Sequence, residues 1–174
     1  ELANKLRKFG LPILENQDPL KIILHTAFNG INGLNADTFF MSRGLVAELP
    51  EPGTITFCLG FVPYKGLARS IRRCWVELLK IHKNKLPLPT FLPPPIPLVN
   101  VPSIDCGSAL RSDWDLLPIS ISIGRISAEM VCPYPPGIPL ILPGEELDQP
   151  RINWLISQQS IWLEKIPREL KVVS

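Results

Sequence analysis

The chain has 174 residues, 45% of them apolar and 20% charged, which is enough apolar content to build one folded domain or a domain with an appendage, and excludes a disordered chain. Its 18 basic and 16 acidic side chains leave a net charge of only +2, too even a balance to argue for a nucleic-acid partner. No apolar run reaches the roughly 18–20 residues that span a bilayer, and no basic start with a following apolar stretch suggests a signal peptide, so neither membrane nor export is expected.

In chain order, residues 1–9 read as a helix, with Leu2, Leu6 and Phe9 at helical spacing and Gly10 placed to end it. The chain opens on Glu1 rather than Met, so this helix is expected to enter from an upstream segment. Leu20–Thr26 reads as a short strand, and Asn29, Gly30, Asn32 and Gly33 supply turn chemistry. A helix is predicted to start near Asn35 as N-cap and to carry Phe39, Phe40 and Leu45. Ala47–Leu49 and Thr54–Leu59 read as two strands of a hairpin joined by Pro50-Glu51-Pro52-Gly53. Residues 65–84 carry the strongest helical pattern, with Leu67, Ile71, Cys74, Trp75, Leu78, Leu79 and His82 on one side. Residues 86–104 are proline-rich but include Phe91, Leu92 and Ile96, so they are expected to lie along a surface. Residues 116–131 are ambiguous, because the alternation Ile119-Ser-Ile-Ser-Ile123 has strand period. Residues 138–142 read as a strand, and 148–165 as a closing amphipathic helix with Trp154, Leu155, Ile161 and Trp162. Helices interspersed with hairpin strands predict an α+β domain with a mixed or antiparallel sheet. The division expected is 1–85, a proline-rich connector at 86–112, and 113–174.

Four cysteines, Cys58, Cys74, Cys106 and Cys132, are far apart with no C-x-x-C and no Cys/His cluster, so buried free thiols in a cytoplasmic protein are expected rather than a metal site or disulfide framework. Two histidines are too few to suggest a nucleophilic triad. His25, within an apolar strand, reads as a core or edge residue. No glycine-rich phosphate loop follows a predicted strand.

Two stretches are similar to one known family. Gly124-Arg-Ile-Ser-Ala-Glu129-Met-Val131 runs into Cys132-Pro-Tyr-Pro-Pro-Gly-Ile-Pro and Pro143-Gly-Glu145, and this resembles the hallmark of the C-terminal domain of Orn/Lys/Arg decarboxylases. Gly33-Leu-Asn-Ala-Asp37 through Arg43-Gly-Leu-Val-Ala-Glu-Leu-Pro-Glu-Pro-Gly53 is similar to the segment that follows the large domain in shorter members of that family. Residues 86–118 match poorly. The resemblance implies the small C-terminal domain of a fold-type-I enzyme that uses pyridoxal 5'-phosphate, and a short helix within 116–131. It further implies a large cofactor-binding domain or a homologous subunit as partner, and a small cationic amino acid (ornithine, lysine or arginine, feeding polyamine synthesis) as substrate of the whole enzyme. Pyridoxal phosphate would there serve as electron sink. Pro135-Pro136-Gly137 suits a rigid wall at an active-site mouth or subunit contact. Glu129, Tyr134 and Glu145 are the candidates to touch a substrate's distal amine or guanidinium at the entrance; Glu48 and Glu51 are weaker ones.

The family's Schiff-base lysine follows a histidine in a Ser/Thr-x-x-His-Lys setting. His82-Lys83 is such a pair, but Leu79 stands where Ser or Thr belongs, and basic residues at a helix C-terminus are favoured by the helix dipole. No catalytic residue, covalently bound cofactor or metal is therefore expected on this chain. The expectation is a C-terminal portion inactive by itself; the alternative is a non-catalytic module that binds a separately encoded large domain or a full-length homologue.

Overall fold

The computed structural model describes residues 1–62, 64–83, 85–88, 93–97, 100–134, 137–162 and 165–174. The chain divides into two compact units, Glu1–Phe91 and Leu92–Ser174. Among the described residues there are five α-helices and two antiparallel sheets, an α+β arrangement. Expectations resting on Phe91, Leu92, Pro135, Pro136 and the 163–164 part of the last helix lie outside the described residues.

The first unit begins with α1, Leu2–Lys8, whose Leu6 is fully buried. Gly10, at φ +82°, ends it as the sequence predicts. Arg7 then donates from Nε to the Ile13 carbonyl at 3.1 Å and from Nη2 to the Leu14 carbonyl at 3.0 Å, holding the returning chain against the helix. Strand β1, Lys21–Leu24, pairs with β3, Ile55–Cys58, and β2, Leu49–Pro50, pairs with the other edge of β3. The register sets Ile22 against Phe57 and Leu24 against Ile55, so one face of this sheet is apolar. Helix α2, Gly33–Met41, starts three residues earlier than its sequence suggests. Asn32, not Asn35, caps it by accepting from Leu34 N at 2.9 Å. Gly33 is required there, because a Cβ would lie 2.0 Å from the Glu51 carbonyl of the hairpin turn. Helix α3, Leu67–Ile81, buries Ala68, Ile71, Cys74, Trp75 and Leu78 as its pattern predicts, with Arg69, Arg72 and Arg73 outward. Leu6, Phe40 and Trp75 from the three helices share one core with Ile22, Leu24 and Ile55.

The second unit opens with the proline-rich segment, which ends in a short helix the sequence did not suggest. Asp105 caps α4, Cys106–Arg111, by accepting from Ser108 N at 2.9 Å. Strand β4, Trp114–Pro118, pairs antiparallel with β5, Glu169–Val173. The terminal strand was also unforeseen, although Leu170 and Val172 alternate inward and are fully buried. The alternating Ile119-Ser-Ile run is a 3-10 turn, Ile119–Ile121, not a strand. Residues 138–142 likewise form no strand; Ile141 makes one isolated antiparallel bridge to Val131. Helix α5, Gln149–Gln158, is shorter than the predicted 148–165. Beyond it Trp162 is buried edge-on to Trp154, ring centroids 6.4 Å apart. All four cysteines are free, but of these only Cys74 is buried; Cys58 and Cys106 are exposed and Cys132 half-buried, a correction to the expectation of buried thiols.

Candidate functional site

The second unit holds Glu129, Tyr134 and Glu145, and its residues 140–148 gather around Arg151, which the sequence does not single out. Asp148 caps α5 by accepting from Arg151 N at 2.9 Å, and this fixes the first turn of the helix. From that turn the Arg151 side chain runs inward to 2% exposure. Its Nη1 donates to the Leu140 carbonyl at 3.1 Å and to Glu145 Oε2, its Nη2 donates to the Glu146 carbonyl at 2.8 Å, and its Nε donates to Asp148 Oδ2. One planar cation thus gathers four acceptors across a turn of nine residues, the use for which a guanidinium fork is suited. Glu145 is buried and also accepts from Leu142 N at 3.1 Å. Its carboxylate is engaged within the protein by Arg151 and the Leu142 N–H.

Glu129 is half-buried, and its Oε1 accepts from Lys171 N of β5 at 2.7 Å. Ser127 Oγ donates to the Glu129 carbonyl at 2.7 Å, so the turn before Met130 is tied to the terminal strand. Tyr134 is exposed, and a Cβ on Gly137, where φ is +87°, would meet its ring at 3.3 Å. Glu129 and Glu145 therefore brace the segment, and of the three candidates Tyr134 alone projects freely. Gly144, at φ +91°, lies against the end of the proline-rich segment: a Cβ there would sit 2.1 Å from the Ile104 carbonyl. Ser103 N donates to the Gly144 carbonyl at 2.8 Å. The signal that could have found Arg151 is Asp148-x-x-Arg151, an N-cap with a cation three residues on. Burial of that cation, however, is decided by the turn that closes over it.

Outside this segment, the first unit has a cleft of about 610 Å³. Apolar Leu20, Leu59 and Phe61 and the cations Lys5, Lys65 and Arg69 line it. His25 is half-buried just beyond the end of β1 rather than within the strand, its ring 6.2 Å from that of Phe28. Among the described residues no cluster of His, Cys, Asp and Glu could hold a metal ion, and no helix is long and apolar enough to cross a membrane.

Residues 91–167 match the family described as Orn/Lys/Arg decarboxylase, C-terminal domain. An arginine decarboxylase of Bacillus anthracis is 28% identical over 80% of this chain and 29% of its own length. The lysine decarboxylase LdcA of Pseudomonas aeruginosa is 46% identical over a shorter stretch, 28% of this chain and 6% of its own length. The solved lysine decarboxylase A of Pseudomonas aeruginosa shares the fold over 90% of this chain and 30% of its own, with a TM-score of 0.61 at 19% identity. The constitutive lysine decarboxylase of E. coli gives a TM-score of 0.60 at 17% identity, over 90% of this chain and 32% of its own. The chain spans less than a third of the length of these arginine decarboxylase relatives.

His82-Lys83, the one pair with the order of the family's histidine-lysine motif, is not placed as a site for the pyridoxal phosphate that the resemblance implies. Lys83 is exposed just beyond the C-terminal end of α3, the negative end of the helix dipole and the wrong end for a phosphate. His82 Nδ1 is buried without a hydrogen-bond partner, and burial, followed by the Lys85 charge, holds its imidazole below the usual value.

Proposed function

We propose, from the place of residues 91–167 within the C-terminal domain of the Orn/Lys/Arg decarboxylase family, that this chain is the C-terminal portion of an amino-acid decarboxylase-like protein. In the whole protein it shapes the substrate entrance and the dimer interface, and alone it neither binds pyridoxal phosphate covalently nor releases carbon dioxide. The whole protein's substrate is ornithine, lysine or arginine, a choice that depends on distal-group contacts made partly outside this chain. The observation that carries the reading is the family match. The Arg151 clamp supports it physically, because a wall at an active-site mouth must hold its shape without help from the ligand. Tyr134 at the exposed side of that wall is the residue placed to meet a substrate, with Glu129 and Glu145 contributing through the shape they impose. Free thiols at exposed Cys58 and Cys106 support a cytoplasmic location.

The test is to mix the purified chain with pyridoxal phosphate and follow the cofactor's absorbance. The expected result is the spectrum of free cofactor. A covalent band that disappears in Lys83→Arg would sink the reading.

A second reading is a non-catalytic module that binds a separately encoded large domain or a full-length homologue. Intact mass of the protein from its native source separates the two. A species near 19.5 kDa favours the module, and a much longer polypeptide favours the C-terminal portion.

A further inference from the structure

The even charge of the whole chain conceals a division between its units. Glu1–Phe91 holds 12 Lys and Arg against 7 Asp and Glu, whereas Leu92–Ser174 holds 6 against 9. Part of the first unit's excess gathers at its cleft of about 610 Å³, where α1, the end of β3 and the start of α3 meet. Lys5, Lys65 and Arg69 line that cleft, and all three are exposed. Among the described residues none of the three is in an ion pair, and the acid that α3 carries, Glu77, is held by Arg43 at 3.0 Å. Glu1 is the one carboxylate among the described residues of the lining, so the cations outnumber it three to one. Like charges that line one cleft repel one another, and an anion bound among them relieves that repulsion.

The rest of the wall is largely apolar. Phe61 is 93% and Leu20 36% exposed, and Leu59 is half-buried against the core. The volume falls within the roughly 300–1,000 Å³ of sites that enclose one small molecule, built as these are from apolar walls with a few charged groups. A concave wall suits a single molecule better than the flat face of a bilayer. The cations repel the cationic amino acids that the decarboxylase reading calls for, so the cleft is no entrance for those.

We propose that this cleft binds a small amphipathic anion, with a phosphate or carboxylate head held by Lys5, Lys65 and Arg69 and an apolar body laid against Leu20, Leu59 and Phe61. The proposal goes beyond the decarboxylase reading and stands or falls without it.

The experiment is a calorimetric titration of the full 174-residue chain with decyl phosphate below its micelle concentration, with decanol and decylamine as the matched uncharged and cationic probes. Wild type is compared with Lys65→Glu/Arg69→Glu, with Phe61→Ser, and with Arg72→Glu/Arg73→Glu, which makes the same change of charge on α3 outside the cleft lining. The expected result is that decyl phosphate binds at least tenfold more tightly than either matched probe. Lys65→Glu/Arg69→Glu should weaken it at least tenfold and Phe61→Ser several-fold, while Arg72→Glu/Arg73→Glu retains it. Equal losses in the two double variants would reduce the effect to general surface charge and overturn the site. Decylamine binding as well as decyl phosphate would overturn the anionic class. Binding to phosphatidylglycerol vesicles but not to monomeric decyl phosphate would make the occupant a bilayer and overturn the cleft as a ligand site. No binding by wild type would overturn the proposal outright. Should Lys65→Glu/Arg69→Glu unfold, Lys65→Gln/Arg69→Gln gives the same decision with a smaller loss.

Discussion

Arg151 is a buried cation with two carboxylates and two carbonyls about it, so removing it leaves Glu145 desolvated without its counter-charge. Breaking a buried pair from one side costs on the order of 3–5 kcal/mol. Arg151→Ala is expected to lose about that much in urea unfolding followed by circular dichroism. Glu145→Gln keeps an oxygen for the guanidinium and an acceptor for Leu142 N, so its loss should be nearer 1–3 kcal/mol, roughly. Two titratable groups in the first unit give opposite pH effects. Burial raises the Asp37 carboxyl above its usual 3.8, with the Ala47 N–H pulling the other way, and its Oδ1 has no hydrogen-bond partner. The folded state then holds a proton the unfolded chain releases, so this group costs stability as pH rises through the window that opens at 3.8. Asp37→Asn should remove that cost and raise the melting temperature at neutral pH. His82 is depressed below 6.5, so the stability it contributes is present above that pH and is lost as pH falls through its folded value. A melting-temperature profile of His82→Asn that keeps the wild-type slope below pH 6.5 would contradict this assignment.

At the scale of elements, the helix starts carry the local specificity. Asn32, Asp105 and Asp148 each accept from an N–H of the following first turn. Asp148→Ala should cost about 1 kcal/mol from the cap, and more if the Arg151 contact goes with it. Two glycines serve close approach rather than flexibility. Gly33→Ala places a methyl against the Glu51 and Thr54 carbonyls, and Gly144→Ala places one against the Ile104 carbonyl at positive φ. The second change should cost about 1–3 kcal/mol from backbone strain alone. Hydrogen exchange at Ser103, whose N–H is held by the Gly144 carbonyl, should accelerate with it. The antiparallel β4–β5 pair shows how an element can be missed. Its partners lie over fifty residues apart in the chain, and β4 is exposed along most of its length, so no alternating pattern marks it.

At the scale of the whole chain, apolar surface stands open on both units. Phe61 is 93% and Val62 85% exposed in the first unit, and in the second Met130 is 55% and Leu142 45% exposed. Contiguous exposure of this kind marks an interaction surface or an aggregation liability. The isolated chain is expected to bind an apolar dye and to lose solubility on concentration. Phe61→Ser/Val62→Ser should improve solubility with little change in melting temperature, because neither side chain contributes to the core. The resemblance to the Orn/Lys/Arg decarboxylase C-terminal domain was legible from Gly124 to Glu145 because the signature is a run of contiguous residues that needs no folding to be read. The α+β class, the α1 and α3 helices and the β2–β3 hairpin were legible too, since periodicity and turn residues are local. Sequence reading offered Glu129 and Glu145 as entrance candidates from their place in the matched motif and the cationic substrates the resemblance implies. Their hydrogen bonds to Lys171 N and Arg151 come from folding that brings distant or turned segments together. What the sequence by itself determined is the family resemblance and the local elements, because both are written in neighbouring residues. What only the tertiary structure decided is which charges are spent inside and which apolar groups are left facing out, because burial is a property of contacts between segments and not of any one of them.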